Sequence, residues 1–219
     1  MNEKESNLRQ EIVRVMRICT QKRLIESNDG NISCRLDDSR LIITPSGSYK
    51  ADLQPDEMII MNLDGTVLQC KLGSRPTSET LLHLEAYHQR ADINAVLHAH
   101  PLHATALTIA GIPFPIDLIP EVLLTLGDVP TAAYATPGTI DMALAIRPLI
   151  KTYNTILLSH HGSLSVGKTL IETLIDLERL EHAAESYALA ASLGKIIPLP
   201  EGELPRLREI HQNFFKRNR

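Results

Sequence analysis

Two histidines separated by a single residue, His98 and His100, are the first candidates for chemistry in this chain. They lie within the apolar stretch of residues 93–101, which predicts a buried β-strand. Side chains alternate between the two faces of a strand, so Val96, His98 and His100 are expected on one face. Imidazole nitrogens are common zinc ligands, and two of them on a rigid surface provide half of a metal site. The alternative for either histidine alone is a hydrogen-bonded residue of the core.

Two further residues are candidates to complete a metal site. His161 ends a second apolar stretch, residues 155–162, where a glycine follows and the chain can turn. Glu79 is the leading carboxylate, because it falls in the first turn of a predicted helix that directly precedes the dihistidine strand. Open catalytic zinc sites often combine three protein ligands with a position for water or substrate.

These assignments have alternatives. An acid near a helix N-terminus such as Glu79 is also explained by its interaction with the helix dipole. His83 lies four residues after Glu79 on the same predicted helix face and is a competing ligand. His160 and His161 are predicted to point to opposite faces, so at most one of them should bind the metal.

Three short segments are candidate anion sites. Each offers backbone N–H groups beside a small hydroxyl or amide side chain, which is what a phosphate group prefers. Each also has a purely structural explanation: an approach to a hairpin for the first, a type II turn for the second and a helix N-cap for the third. The segments are Gly30-Asn31, Ser46-Gly47 and Thr77-Ser78. Three such segments beside a metal site favour a small phosphorylated ligand.

The elements that must position these residues follow from periodicity and turn signals. Helices are predicted over residues 8–26, 77–89, 102–110, 138–151, 168–193 and 204–215, with Thr77 or Ser78 as the N-cap of the second. Strands are predicted over residues 32–36, 40–44, 58–62, 66–71, 93–101 and 155–162. Residues 111–138 hold five prolines and are predicted to be irregular. The prediction is therefore one α/β domain, residues 1–219, with helices covering a sheet.

Composition excludes several classes of protein. The net charge of −4 argues against binding to nucleic acid, which normally requires a basic surface. No apolar run approaches the roughly 18 residues that span a bilayer, and residues 1–5 do not resemble a signal peptide. Three cysteines, odd in number and widely spaced, are typical of reduced thiols. We therefore expect a cytoplasmic protein without a membrane partner; the basic residues 216–219 are interpreted as a solvated helix end.

Taken in order along the chain, five motifs resemble the class II aldolase/adducin family, in particular its sugar-phosphate aldolases of the fuculose-phosphate type. They are Gly30-Asn31-Ile32-Ser33, Thr44-Pro45-Ser46-Gly47, Pro76-Thr77-Ser78-Glu79, His98-Ala99-His100 and His160-His161-Gly162. The segment Tyr134-Ala135-Thr136-Pro137-Gly138-Thr139 is also similar to a family motif, with alanine at position 133 where proline is usual. The resemblance covers roughly residues 8–190.

The resemblance implies a fold, a metal site and an assembly. The fold would be a three-layer α/β/α domain with a central, mainly antiparallel sheet, and the assembly a homotetramer with sites at subunit interfaces. One Zn²⁺ per subunit would be held by Glu79, His98, His100 and His161, with Mn²⁺ or Co²⁺ as alternatives. Phosphate would be bound by Gly30, Asn31, Ser46, Gly47, Thr77 and Ser78.

The activity implied is the reversible cleavage of a ketose 1-phosphate into dihydroxyacetone phosphate and an aldehyde, with the metal as Lewis acid and Glu79 as general acid/base. One departure concerns residues 113–121, which contain no tyrosine where fuculose-type aldolases carry an interface tyrosine. Glu121 instead resembles an acid of the methylthioribulose-phosphate dehydratase branch, although a surface acid or an N-cap is equally compatible. The alternatives are a dehydratase, a decarboxylase or a 4-epimerase at the same metal site, or a non-catalytic module of the adducin type.

Overall fold

Eight strands form one sheet in the computed structural model, which describes residues 3–217, with side chains described as far as residue 213. The strands are β1 Asn31–Arg35, β2 Arg40–Ile43, β3 Ile59–Asn62, β4 Val67–Gln69, β5 Ala95–Ala99, β6 Thr131–Ala132, β7 Thr155–Leu158 and β8 Gly162–Gly167. Their order in the sheet is β4-β3-β2-β1-β5-β8-β7-β6. All neighbours are antiparallel except β6 and β7, so the predicted mainly antiparallel sheet is confirmed.

Helices cover both faces of the sheet. They are α1 Glu3–Gln21, α2 Thr80–Gln89, α3 Leu102–Ile109, α4 Pro120–Thr125, α5 Ile140–Ile150, α6 Leu170–Leu193 and α7 Glu203–Arg217. Two short 3-10 turns, Lys50–Asp52 and Pro55–Glu57, lie between β2 and β3.

Alternating residues of each strand divide the core into two apolar layers. Leu97 and Ala99 of β5 pack in the layer under α1, α3 and α6, whereas Val96 packs in the layer under α2 and α5. Because side chains alternate along a strand, His98 points to the same side as Val96, toward α2 and α5. This arrangement of two helical layers around a sheet confirms the predicted α/β/α fold class.

Helix α2 begins later than predicted. It starts at Thr80 with Glu79 at the N-cap position, and no side chain caps it there, so the prediction of Thr77 or Ser78 as N-cap is wrong. Thr77 instead closes a turn, in which its carbonyl accepts hydrogen bonds from the backbone N–H and the hydroxyl of Thr80. The turn places the Glu79 side chain against His98 of the central strand β5 rather than on the exposed face of a helix.

Two other segments differ from the prediction. Residues 111–138 are not wholly irregular, since they contain α4 and the short strand β6. The chain after His161 does not pass directly to a helix but forms β8, which pairs with both β5 and β7. Small polar residues alternate with apolar ones in β8 (GSLSVG), and this pattern carries a weak strand signal.

The two chain ends extend past the part that the structure describes. The interpretation of residues 216–219 as a solvated helix end falls on side chains outside the described residues. Within the described range, no helix combines the length and the apolar character needed to cross a membrane.

Candidate metal centre

The four predicted ligands come together near the start of α2, the end of β5 and the turn between β7 and β8. Glu79 lies at the start of α2, His98 is in β5, and His100 follows directly after that strand. His161 lies in the tight turn between β7 and β8, where His160 adopts a left-handed backbone conformation with φ of 57°. Since β8 pairs with β5 in the middle of the sheet, this turn returns His161 to the histidine pair.

The ligand atoms of these four residues lie within 4.8 Å of one another, and the cluster could hold a metal ion. The Nε2 atoms of His98 and His100 are 2.9 Å apart. The two oxygens of Glu79 are divided between the histidines, with Oε2 2.9 Å from His98 Nε2 and Oε1 2.8 Å from His161 Nε2. The rings of His98 and His161 are stacked, with centroids 4.8 Å apart.

The hydrogen bonding of His98 is compatible with a cation bound at this cluster. His98 Nδ1 lies 2.9 Å from the carbonyl oxygen of Ser163, which can only accept, so Nδ1 carries the hydrogen. When the ring is neutral, the lone pair of His98 Nε2 then faces Glu79 Oε2 and His100 Nε2. Electron-pair donors that converge in this way require a positive charge between them, and a carbonyl partner on the far nitrogen is typical of metal-binding histidines.

In the metal-free cluster, Glu79 and His100 favour the forms that bind a cation, whereas His98 favours a proton, which a metal ion would displace. Burial alone would raise the pKa of Glu79, but His98 and the hydrogen bonds from His161 and Asn31 hold that pKa well below its usual range. Burial opposes charge on His98, yet Glu79 raises the pKa of His98 above its ordinary value. Burial and the neighbouring His98 and His161 lower the pKa of His100 to about 3. A carboxylate anion and a neutral imidazole are the forms that bind metal.

The competing histidines lie elsewhere. His83 is fully buried behind Glu79, where its ring contacts Ser33 and Asn31 and is not part of the cluster. His160 faces away from the cluster, with its ring 6.3 Å from that of Tyr134. The side chains of His160 and His161 therefore point in different directions, as predicted. The reason is that both residues lie in the turn between β7 and β8, and not that they alternate along a strand.

The three candidate anion segments come together beside the cluster. Asn31 opens β1 directly opposite His98, which brings Gly30-Asn31 to the metal ligands. An isolated bridge between Pro45 and Pro76 places Ser46-Gly47 beside Thr77-Ser78. All six predicted phosphate-binding residues line one small cleft, which Glu79 and His100 also line.

Some groups of this cleft are already hydrogen-bonded. The amide of Ser46 donates to the carbonyl of Arg75, and the amide of Thr77 donates to the carbonyl of Thr44. The hydroxyls of Ser46 and Ser78 form no hydrogen bond with any residue between 3 and 217, and Gly47 has φ of 75° with open space around its Cα. The groups open to an anion are thus mainly hydroxyls and the exposed turn at Gly47, on one side of the cleft.

Sequence reasoning missed Lys50, which also lines the cleft. Its side chain is only 2% exposed, and its Nζ donates to the carbonyl of Ser48 at 3.0 Å, with the carbonyl of Pro45 at 3.5 Å. Among the described residues no carboxylate forms an ion pair with it, and burial lowers its pKa despite the opposing fields of Asp29 and Glu57. A buried ammonium group next to an anion cleft contributes positive charge there. The only sequence signal was its position, four residues after Ser46.

A glycine allows the close approach of β8 to the histidine pair. A Cβ on Gly162 would lie 2.3 Å from the carbonyl oxygen of Ala99 and 2.9 Å from Cδ2 of His100. Both distances are too short for a real side chain, so the glycine after His161 is needed for packing as well as for the turn.

Glu121, the acid that sequence reasoning considered as an alternative catalyst, lies in the first turn of α4. Its side chain is exposed and makes no contact with the cluster within the described part of the chain.

An α/β/α domain with three imidazoles and a carboxylate beside a cleft lined by small polar residues is typical of an enzyme of the class II aldolase type. The family model described as Class II Aldolase and Adducin N-terminal domain matches residues 10–188, and the chain belongs to this family. Class II aldolases use a divalent metal ion, and the cluster of Glu79, His98, His100 and His161 could hold it.

The relatives that are similar over nearly the whole chain include proteins named as aldolases and proteins named as decarboxylases. A 5-methylthioribulose-1-phosphate/5-deoxyribulose-1-phosphate aldolase from Rhodospirillum rubrum is 30% identical over 207 residues, covering 94% of this chain and 92% of that protein. A 3-oxo-tetronate 4-phosphate decarboxylase from Escherichia coli is 32% identical over 212 residues, covering 93% and 96%. The solved structure of an L-fuculose 1-phosphate aldolase superposes with a TM-score of 0.84 at 28% identity, covering 94% and 96%.

Proposed function

We propose that this protein is a zinc-dependent aldolase that reversibly cleaves a ketose 1-phosphate into dihydroxyacetone phosphate and an aldehyde. One observation carries the proposal: Glu79 and His100 belong both to the metal cluster and to the wall of the anion cleft. A substrate whose phosphate lies in the cleft therefore reaches the cluster with a group only a few bonds from that phosphate. In a ketose 1-phosphate the carbonyl is separated from the phosphate by a single carbon, which matches this short spacing.

The residues of the chain divide the work of such a reaction. When bound by the three histidines and Glu79, a divalent ion supplies a Lewis acid that stabilises the negative charge left as the carbon–carbon bond breaks. The hydroxyls of Ser46 and Ser78, the turn at Gly47 and the charge of Lys50 bind the phosphate and orient the three-carbon half of the substrate. Glu79 moves the proton to and from the substrate carbon, because it is the carboxylate shared by cluster and cleft.

The second candidate is a decarboxylase acting on a sugar-acid phosphate at the same site. The observation that favours it is the similarity to a 3-oxo-tetronate 4-phosphate decarboxylase, at an identity comparable with that to the aldolase. Loss of carbon dioxide beside a carbonyl leaves the same kind of negative charge as aldol cleavage. A dehydratase or a 4-epimerase would use the same metal site.

Incubation with substrates separates these reactions. The purified zinc-loaded protein is mixed with dihydroxyacetone phosphate and a panel of aldehydes, and separately with a 3-oxo-tetronate 4-phosphate. The proposal predicts consumption of dihydroxyacetone phosphate and a new ketose 1-phosphate in the mass spectrum. Release of carbon dioxide without aldol product would favour the decarboxylase, and loss of water from a ketose phosphate would favour the dehydratase.

The assembly is proposed to be a homotetramer with active sites at subunit interfaces. Leu102 and Ile109 of α3 are 57% and 60% exposed and lie seven residues apart, hence on one helix face. Tyr134, 64% exposed, lies beside His160, whose amide bonds to Thr108 of the same helix. Apolar side chains exposed next to a site are what a neighbouring subunit would cover. Light scattering of the purified protein tests this, and a monomer that is fully active would contradict it.

Two further proposals concern the extent of the domain and its location. We propose that residues 1–219 form one domain. Helix α7 packs on α4 through the hydrogen bond between His211 and the carbonyl of Leu124, and it pairs through Arg208 with Asp128 just after α4. We propose a cytoplasmic location, which suits the free thiols of Cys19, Cys34 and Cys70.

A further inference from the structure

A line of buried polar groups connects helix α2 with the carboxylate of Glu79. Asn31 Nδ2 donates to Glu79 Oε2 at 2.9 Å, and Asn31 Oδ1 lies 2.5 Å from His83 Nε2. His83 Nδ1 lies 2.6 Å from the hydroxyl of Ser33, and the hydroxyl of Tyr87 lies 3.0 Å from both the hydroxyl and the carbonyl oxygen of Ser33. All five side chains are buried. The sequence motifs account for Glu79 and Asn31 but for no role of His83.

The carboxylate determines the direction of the hydrogen bonds that run from Glu79 through Asn31 to His83. An ionised carboxylate only accepts, so the amino group of Asn31 faces Glu79 and its carbonyl oxygen faces His83. His83 Nε2 must then carry the ring hydrogen, and its bare Nδ1 accepts the hydrogen of the Ser33 hydroxyl. The 3.0 Å contact between the hydroxyls of Ser33 and Tyr87 therefore takes its hydrogen from Tyr87. The tautomer of His83 and the orientation of the Asn31 amide therefore fix each other.

We propose that His83 is a positioning residue, which holds the Asn31 amide with its amino group toward Glu79 and so keeps that carboxylate in place for metal binding and proton transfer. The proposed role in proton transfer rests on the proposed function, whereas the role in metal binding does not. The backbone of Asn31 is already fixed by its pairing with His98. Rotation of the amide about its last bond is the freedom that remains, and it is the freedom that His83 removes.

Without the Nε2 hydrogen of His83, the carbonyl oxygen of Asn31 would have no donor. The amide could then turn and place its oxygen against Glu79 Oε2, where two acceptors repel each other. Glu79 would lose a hydrogen bond, and its side chain would be free to leave the histidines. Hydrogen-bond partners behind metal ligands typically change metal affinity or activity by about 10- to 100-fold when they are removed.

Two substitutions separate positioning from the simple filling of space. His83→Leu keeps the apolar volume but removes both ring nitrogens, whereas His83→Gln retains an N–H close to the position of Nε2. His88 lies on the same helix, is exposed, and contacts only the carbonyl of Leu63 among the described residues, so His88→Leu and His88→Gln are matched controls.

The readouts are the ring ¹⁵N shifts of His83 in the metal-free protein and the affinity for Co²⁺ measured by absorbance titration. We expect a hydrogen on Nε2 and none on Nδ1 in the wild type. We expect Co²⁺ affinity to fall by about tenfold or more in His83→Leu, to recover in His83→Gln, and to stay unchanged in both His88 variants. In turnover assays the loss should appear in kcat rather than in KM.

A hydrogen on Nδ1 in the wild type would overturn the proposal. So would equal Co²⁺ affinities in His83→Leu and His83→Gln, whether both are weakened or both match the wild type. The ring shifts are read from the wild type and remain decisive if the leucine variant does not fold. Neither the shifts nor the metal titration needs a substrate, so a failure of the aldolase assignment is distinguishable from a failure of this inference.

Discussion

Glu79 Oε1 and His161 Nε2 lie 2.8 Å apart although 82 residues separate them along the chain. The two atoms meet because α2 starts, and the chain turns from β7 to β8, at the same end of the central strands, next to the last residues of β5. Glu79 is thereby both a candidate metal ligand and part of the wall of the candidate anion cleft.

Glu79→Gln should abolish most turnover while the fold stays intact, because the amide has the shape of the carboxylate but cannot take a proton. We expect kcat to fall by about 10²- to 10⁴-fold, the usual contribution of a general acid/base. Steady-state kinetics and circular dichroism check this. Glu121→Gln is the comparison, since Glu121 is the alternative acid; a greater loss there than at Glu79 would contradict the assignment.

Replacement of His161 should lower the metal content of the protein, whereas replacement of the adjacent His160 should leave it unchanged. His161→Asn removes a ligand from the cluster and should leave the purified protein with substoichiometric zinc, measured by mass spectrometry of the metal. His160→Asn should keep full zinc, since this ring faces Tyr134 and asparagine tolerates the left-handed backbone at position 160. Loss of zinc in the His160 variant alone would show that the wrong histidine had been assigned.

Removal of the metal should inactivate the enzyme reversibly and lower its melting temperature. Four groups that converge within 4.8 Å bind an ion only in the folded state, so bound metal stabilises the fold by mass action. Differential scanning calorimetry with and without chelator measures the effect, and added Zn²⁺ should reverse it. In His161→Asn the same chelator should change the melting temperature much less. An equal change in both proteins would place the stabilising metal elsewhere.

Lys50→Met should weaken the binding of inorganic phosphate, and Lys50→Arg should retain more of it. A hydrogen bond to a charged group contributes about 1.5–3 kcal/mol, so we expect the Kd to rise by about tenfold or more. Isothermal titration calorimetry with phosphate measures this directly. Lys22→Met is the control, because the Lys22 side chain is 55% exposed, follows directly after α1 and pairs with Glu178 rather than lining the cleft. If phosphate binding is equal in Lys50→Met and the wild type, Lys50 does not serve the anion cleft.

Gly162→Ala should disturb both stability and metal binding, because its Cβ would collide with the Ala99 carbonyl and the His100 ring. We expect a loss of about 1–3 kcal/mol in the free energy of unfolding, as for overpacked cores, together with weaker Co²⁺ binding. Gly111→Ala is the control, since it has open space but a φ of 68°. That change should cost about 1–2 kcal/mol of backbone strain and leave Co²⁺ affinity unaltered. Unaltered Co²⁺ affinity in Gly162→Ala would contradict the role given to this contact.

Much of the fold could be predicted because local patterns determine it. The spacing of Leu8, Ile12 and Val15 predicts α1, and the turn at Asp64-Gly65 predicts the hairpin of β3 and β4. Strand β8 was missed since its alternate residues are serines, whose burial depends on neighbouring strands rather than on their own chemistry.

The sequence by itself determined the identity of the candidate ligands, because residue type and strand periodicity limit which side chains can bind a metal. It could not distinguish a metal ligand from a neighbouring residue with the same spacing, because Glu79 and His83 lie four residues apart on one predicted helix face and either could bind a metal. Only the tertiary structure decided that Glu79 faces the histidines, that His83 supports it through Asn31, and that Lys50 is buried beside the cleft. Burial and hydrogen-bond direction depend on which elements pack together, and the order of residues along the chain does not contain that information locally.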